Sequence, residues 1–91
     1  MEIRLPIEEL KKFLETNEDC EALTQDEYVS DLYDGDTPLT VNLRLEDGKA
    51  VILAAARLLY DEEQDGWYMG ERVEDEDLIL RAFESAMTGG K

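Results

Sequence analysis

Cys20 is the only cysteine of the chain, and its thiolate would be the strongest nucleophile that the sequence offers. A reactive thiolate needs cationic neighbours that lower its pKa, whereas Cys20 is flanked by Glu18, Asp19 and Glu21, which raise the pKa. The sequence also contains no histidine, which is the commonest general base and the commonest transition-metal ligand. We therefore expect a half-buried, unreactive Cys20 and no serine or cysteine triad.

Residues 61–66, which read Asp-Glu-Glu-Gln-Asp-Gly, are the best candidate for a metal site. Acids at loop positions one, three and five with glycine at six are similar to the start of an EF-hand loop. Position twelve of such a loop would be Arg72 instead of a bidentate glutamate, and the flanking segments have strand patterns. We therefore predict a hairpin turn with solvated acids and no metal, and we assign no metal to Asp34 and Asp36 either.

Other chemistry finds little support in the sequence. There is no glycine-rich phosphate loop, and carboxylate pairs are so abundant that any one pair is uninformative. A single domain of 91 residues also has little room for the desolvated niche that a general acid needs. We predict that the protein is not an enzyme and that it binds no cofactor.

Negative charge is the dominant feature of the composition. Twenty-four acidic residues against nine basic ones give a net charge of -15, which repels nucleic acid and anionic lipid and attracts basic surfaces. The hydrophobic content of 43% and its clear periodicity predict a folded domain rather than a disordered chain. We predict a cytoplasmic protein, because the chain has a single cysteine, many charges among residues 1–15 and only a short apolar run at residues 50–56. The host would be bacterial or archaeal if a phage encodes the protein.

The first third of the chain has mainly helical patterns. Residues 1–5 alternate weakly and could form a short edge strand, whereas residues 6–16 place apolar side chains at helical spacing. Thr24 followed by Glu27 fits a capping box, in which the threonine oxygen accepts the Glu27 amide. We therefore predict a second, shorter helix that begins at Thr24 and ends at Gly35.

The middle of the chain alternates with period two. We predict strands at residues 39–46 and 50–60, joined by a tight turn at Asp47-Gly48. This turn predicts four pairs on one apolar face: Leu45 with Ala50, Leu43 with Ile52, Val41 with Ala54, and Leu39 with Ala56. Residues 54–64 taken alone have good helix propensity, so a helix in that segment is the alternative.

The last third completes an α+β fold. Residues 67–73 predict a third strand, and the acidic run at residues 74–77 suits the start of a helix that ends near Met87. The predicted fold has N-terminal helices, a three-stranded antiparallel β-meander, and a C-terminal helix packed on one face of the sheet. Residues 1–87 form a single domain in this prediction, and residues 88–91 form a frayed tail.

The acids lie mostly outside the predicted central hairpin. The net charge is -9 over residues 1–37, +1 over residues 38–60 and -7 over residues 61–91. The predicted partner-binding residues form a first acidic cluster (Glu18, Asp19, Glu21, Asp26, Glu27, Asp31, Asp34, Asp36), a second (Asp61, Glu62, Glu63, Asp65) and a third (Glu74, Asp75, Glu76, Asp77). An aromatic anchor could come from Tyr28, Tyr33, Trp67 or Tyr68, although aromatic residues at these spacings are more often core.

Three functions fit this composition. A DNA duplex presents one negative charge per roughly 1.7 Å, and an acidic protein surface can occupy the basic groove that a protein reserves for phosphates. We therefore expect a small DNA-mimic-like inhibitor of a basic nucleic-acid-binding protein or complex, of the anti-CRISPR or anti-restriction kind that phages use. The alternatives are an immunity protein or antitoxin that blocks a nuclease toxin, and a generic acidic interaction domain from a high-salt cytoplasm. We expect no direct binding to nucleic acid or membrane, and a homodimer through an exposed sheet edge is a further candidate.

Overall fold

The computed structural model describes residues 1–35 and 37–88, without the side chain of Asp34. Within these residues the elements are β1 (Glu2–Ile3), α1 (Ile7–Thr16), β2 (Cys20–Ala22), β3 (Glu27–Asp34), β4 (Thr37–Glu46), β5 (Lys49–Asp61), β6 (Gly66–Arg72) and α2 (Glu76–Met87). The predicted frayed tail at residues 88–91 lies outside the described residues, except for Thr88.

All six strands belong to one antiparallel sheet built around the long strand β5. On one side of β5, β4 pairs along most of its length, and β3 and then β2 extend the sheet. The other side of β5 is shared by two strands: β1 pairs near Val51, and β6 pairs between Ala56 and Asp61. The protein is thus a small α+β protein in which a helix, a sheet and a second helix follow one another.

The predicted second N-terminal helix and the predicted three-stranded meander are both wrong, because residues 27–34 form strand β3. The predicted hydrogen bond is present, since Thr24 Oγ1 accepts the Glu27 amide at 3.0 Å. The backbone amides of Leu23 and Thr24, however, donate to the Glu27 carbonyl oxygen at 2.8 and 3.2 Å. These bonds close a turn between β2 and β3, so the threonine supports a hairpin turn instead of a helix start.

Burial explains why the strand is preferred over the helix here. Tyr28, Ser30 and Leu32 are buried, whereas the residues between and after them lie towards the opposite side of the sheet. A period of two buries all three side chains against the helices, and a helical period would not. Packing in the folded protein therefore overrides the local helix signal.

The central hairpin agrees with the sequence close to its turn. Asp47 and Gly48 have positive φ angles of 50° and 76°, as a two-residue hairpin turn requires. The predicted pairs Leu45 with Ala50 and Leu43 with Ile52 are confirmed, and β5 is a strand throughout, not a helix. Further from the turn a bulge inserts Leu53, so Val41 pairs with Ala55 and Leu39 with Arg57. The predicted pairs Val41 with Ala54 and Leu39 with Ala56 are therefore wrong by one residue.

Both helices cover the same face of the sheet. Leu10 and Leu14 of α1 and Ile79 and Phe83 of α2 belong to one buried cluster with the inward residues of β3, β4 and β5. The opposite face, which we call the open face, is covered by neither helix. α1 and α2 have 10 and 12 residues, and no helix in the described part of the chain has the length and apolar character needed to cross a membrane.

Candidate protein-binding face

The open face carries exposed apolar and aromatic side chains. Leu39 faces the core and pairs with Arg57, so the next residue, Leu58, lies on the open face. Across the β5–β6 hairpin, Leu58 pairs with Met69 and Tyr60 pairs with Trp67, which places all four on this face. Trp67 is 62% exposed and Met69 is 66% exposed. Large apolar side chains left this open are typical of a binding surface.

A cleft of about 310 Å³, which we call the aromatic cleft, crosses one end of the open face. It is lined by Asp19, Asp31, Tyr33, Pro38, Leu58 and Trp67. The strand pairing explains this arrangement, because Tyr33 lies opposite Pro38 on β4 and the Asp31 amide donates to the Asp19 carbonyl oxygen at 3.0 Å. Two carboxylates and two aromatic rings therefore border one small cleft.

A second depression of about 460 Å³, the apolar groove, lies further along the same face. Small and apolar residues dominate its lining, which consists of Val29, Thr40, Asn42, Ala54, Ala55, Ala56, Met69, Gly70 and Arg72. A side chain at Gly70 would approach Leu59 Cδ1 to 2.6 Å, so the packing of Leu59 against β6 leaves room only for glycine there. Both depressions therefore lie on the sheet face that the helices leave uncovered.

Asn42 contributes an unusual polar group to the apolar groove. Its Oδ1 atom is buried and has no hydrogen-bond partner among the described residues. A buried acceptor without a donor costs free energy in the folded state. Asn42 Oδ1 therefore lowers the stability of the central strands.

The first acidic cluster lies along the β2–β3 edge of the sheet. Glu18 and Asp19 precede β2, Glu21 lies on it, Asp26 is in the turn, and Glu27 and Asp31 are on β3. We call these six residues the acidic edge. The two other members cannot be placed as fully, because Asp36 and the side chain of Asp34 are outside the described residues. Asp19 and Asp31 connect this edge directly to the aromatic cleft.

The second acidic cluster forms the turn of the β5–β6 hairpin. Glu62, Glu63 and Asp65 are exposed, and Asp61 Oδ1 accepts the Glu63 amide at 2.9 Å. Asp65 accepts a hydrogen bond from the Tyr60 hydroxyl. This hydrogen bond raises the pKa of Tyr60 above its ordinary value. The turn precedes Trp67 by two residues in the chain, but none of its four acids lines the aromatic cleft.

The third acidic cluster lies at the start of α2, on the helix-covered side of the sheet. Asp75 is the N-cap residue, and its Oδ1 accepts the Asp77 and Leu78 amides at 3.1 and 3.3 Å. Glu76 and Asp77 follow in the first turn, where acids interact favourably with the positive end of the helix dipole. This cluster therefore has a structural role, and the geometry does not connect it to the open face.

Two surface ion pairs among the described residues are formed by acids outside the three clusters. Arg44 and Glu46 approach to 2.9 Å on β4, and Lys49 and Glu2 to 3.6 Å between β5 and β1. Both pairs involve well-exposed side chains, so each contributes little to stability. Neither pair uses an acid of the acidic edge, and five of the six acids of that edge are exposed.

Cys20 lies at the inner side of the acidic edge and is half-buried, as predicted. Burial raises the pKa of its thiol above the ordinary value, and the carboxylates of Asp19 and Asp31 raise the pKa further. The Ser30 hydroxyl, 3.0 Å from the sulfur, lowers the pKa in part. In the described part of the chain, no group of three or more His, Cys, Asp or Glu residues could hold a metal ion.

The prediction that aromatic residues are core holds for Tyr28 but not for the others. Tyr28 is 4% exposed, whereas Tyr33, Trp67 and Tyr68 are 59%, 62% and 51% exposed. Tyr33 was not predicted to lie beside Asp31, because a helix was predicted for residues 24–35. Only a strand places these two residues on the same face. Leu58 was missed because its position depends on the bulge in β5, and Pro38 was missed because β4 begins at Thr37, two residues before the predicted strand.

Comparison of the chain with protein-family models, with curated proteins and with solved structures found no match. Function is therefore inferred from the geometry and the charge of the open face.

Proposed function

We propose that this protein is a small acidic inhibitor that binds the basic, nucleic-acid-binding surface of a partner protein. The observation that supports this proposal is the position of the acidic edge beside the aromatic cleft, on the sheet face that the helices leave uncovered. The inhibitor blocks its partner by occupying the surface that would otherwise hold phosphates. Partners of this class include restriction and CRISPR complexes and nuclease toxins.

Charge and apolar contact have different tasks in such a complex. The net charge of -15 accelerates the encounter with a basic surface and selects against acidic partners. Charge alone gives weak, salt-sensitive binding, whereas a desolvated aromatic anchor slows dissociation. Trp67 and Tyr33 provide such anchors next to the carboxylates. The same surface therefore carries both the attraction and the anchor.

Stability at low salt separates this function from the high-salt alternative. An acidic protein adapted to a high-salt cytoplasm unfolds when salt is removed, because screening no longer reduces the repulsion between its carboxylates. An inhibitor that works at ordinary salt keeps its fold. We expect circular dichroism and thermal unfolding to show a cooperative fold at about 10 mM salt, where the Debye length is about 30 Å.

Affinity capture tests the proposed function. The immobilised protein is exposed to a bacterial lysate at about 0.15 M salt, and bound proteins are eluted with a salt step and identified by mass spectrometry. We expect a basic, nucleic-acid-binding protein or complex to elute, because salt screens the contacts that hold it. A purified partner from this step then allows the inhibitory effect on its nucleic-acid binding to be measured directly.

Two triple variants make the capture specific. Asp19→Asn, Glu21→Gln and Asp31→Asn together remove three charges from the acidic edge, and Glu8→Gln, Glu9→Gln and Glu15→Gln remove three charges from exposed positions of α1. We expect the first variant to lose the partner and the second to keep it. Equal retention by both variants would contradict binding through the acidic edge, and no nucleic-acid-binding protein among the eluted proteins would contradict the proposed function.

A further inference from the structure

The aromatic cleft combines groups that recognise one type of side chain. Two carboxylates, Asp19 and Asp31, lie at one end of the cleft, and the Trp67 ring lies at the other. Tyr33 stands on the same strand as Asp31, two residues further on, so both side chains point to the same face. Carboxylates accept charged hydrogen bonds, and aromatic faces attract cations through the ring quadrupole.

The remaining lining suits the aliphatic part of a long cationic side chain. Pro38 and Leu58 lie side by side on β4 and β5 and offer carbon surface without charge. Arginine can place its methylene stem on such a surface while its guanidinium group reaches a carboxylate. The planar guanidinium also stacks on aromatic rings and pairs bidentately with carboxylates, which a lysine ammonium does not do. The cleft therefore fits arginine better than lysine.

Size and charge favour a cationic side chain over other occupants of the cleft. A volume of about 310 Å³ is at the lower end for small-molecule sites, so it suits one side chain. A nucleic acid or an anionic lipid would meet the carboxylates of Asp19 and Asp31. A second copy of this chain would bring another net charge of -15 to the same surface. A cationic side chain of another protein is therefore the group whose charge is complementary to that of the cleft.

We infer that the aromatic cleft is a subsite for one arginine side chain of the partner, whose guanidinium group pairs with Asp19 and Asp31 and stacks on Tyr33 while its stem lies along the cleft beside Trp67. This inference rests on the proposed function, and it names the group on the partner that the open face recognises. Basic nucleic-acid-binding surfaces present arginine to phosphates, so this subsite takes an arginine that would otherwise contact the nucleic acid. The apolar groove then receives the residues that neighbour this arginine in the partner.

A blocked pentapeptide, acetyl-Gly-Gly-Arg-Gly-Gly-amide, is a suitable probe for the subsite. Trp67 is the only tryptophan, so its fluorescence reports on the cleft without labelling. We expect a saturable change in this fluorescence, and NMR shifts centred on Tyr33, Asp31 and Trp67. The same peptide with citrulline in place of arginine lacks the charge, and we expect it to bind at least about tenfold more weakly. The lysine peptide should bind about threefold more weakly, since it cannot stack in the same way.

Variants of exposed residues locate the binding. Asp31→Asn and Tyr33→Leu should each weaken the arginine peptide by about threefold to tenfold, and Glu15→Gln, which removes the same charge from α1, should leave it unchanged. Circular dichroism confirms that each variant is folded. Equal binding by Asp31→Asn and Glu15→Gln would overturn the inference, as would a lysine peptide that binds more tightly. A dimer detected by sedimentation velocity, together with a blue shift of the Trp67 emission on dimer formation, would also overturn it.

The capture experiment distinguishes an error in the arginine subsite from an error in the proposed function. If a basic partner binds the wild type and also binds the Asp31→Asn, Tyr33→Leu double variant equally well, the arginine subsite is wrong and the proposed function stands. If the wild type captures no such partner, the proposed function fails, whatever the peptide titration shows.

Discussion

Tyr60 and Trp67 face each other across the β5–β6 hairpin, with their ring centroids 5.2 Å apart and their planes inclined at 61°. Such an edge-to-face pair holds both rings in a defined orientation. The hydrogen bond from the Tyr60 hydroxyl to Asp65 fixes the first ring to the hairpin turn. Trp67 therefore lines the aromatic cleft in a defined orientation in the free protein, and the proposed binding requires little further ordering of this side chain.

A double-mutant cycle tests the coupling of this pair. We expect Tyr60→Leu and Trp67→Leu to show a coupling of about 0.5–1.5 kcal/mol in the free energy of unfolding, towards the lower end because both rings are exposed. Urea unfolding of the wild type, the two single variants and the double variant provides the four values. Strictly additive effects would show that the two rings do not stabilise each other.

Cys20 should react slowly with iodoacetamide at neutral pH, because burial raises its pKa. Asp31→Asn removes a charge that raises the pKa and should move the pH profile of alkylation to lower pH. Ser30→Ala removes the hydrogen bond that lowers the pKa and should move the profile to higher pH. Mass spectrometry at a series of pH values gives the profiles, and alkylation at the rate of an unfolded peptide would be inconsistent with the burial of the thiol.

The raised pKa of Cys20 also predicts how stability depends on pH. The unfolded chain loses the thiol proton at a lower pH than the folded protein does. The stabilising contribution of the protonated thiol is therefore complete below the unfolded pKa and is lost as pH rises through the folded pKa. We expect Cys20→Ala to lose less stability than the wild type between neutral and alkaline pH.

Asn42→Val should leave the stability unchanged or raise it by up to about 1 kcal/mol, because it removes a buried acceptor that has no donor. Valine also suits a central strand, where Asn42 lies between Val29 and Ala54. Thr40→Val, on the same strand and the same face, is the matched control. A loss of more than about 1 kcal/mol on thermal or urea unfolding of Asn42→Val would show that Oδ1 has a partner, such as an ordered water.

Asp75→Ala should destabilise the protein by about 1 kcal/mol, because its side chain caps the first turn of α2. Glu74→Ala removes the same charge one residue earlier, outside the helix, and should have a much smaller effect. Urea unfolding distinguishes the two. Equal effects would mean that the charge near the helix start matters and that the cap itself does not.

The elements that the sequence predicted well are those whose pattern is set locally. Asp47-Gly48 specifies a hairpin turn by its backbone preferences, and the two nearest cross-strand pairs follow from it. The apolar spacing of α1 and the acids before α2 likewise give helices close to their predicted limits. These patterns depend on residues that are close together in the sequence, so the folded protein has the local structure that they predict.

The elements that were predicted wrongly depend on contacts between distant residues. The Thr24 and Glu27 bond occurs in a helix cap and in a hairpin turn alike, and only the pairing of β3 with β4 decides between them. The bulge at Leu53 changes which residues of β5 lie on the open face, and nothing near Leu53 in the sequence marks it. The acids of the acidic edge could be identified from the sequence alone. The aromatic cleft could not, because its residues come together only in the six-stranded sheet.

Competition by nucleic acid is the most direct test of the central claim. A captured and purified partner is bound to the immobilised protein at about 0.15 M salt, and increasing concentrations of a DNA or RNA duplex that the partner recognises are added. We predict that the nucleic acid releases the partner in a saturable way, because both ligands occupy one basic surface. Formation of a stable ternary complex, in which the partner holds the nucleic acid and this protein together, would contradict that prediction.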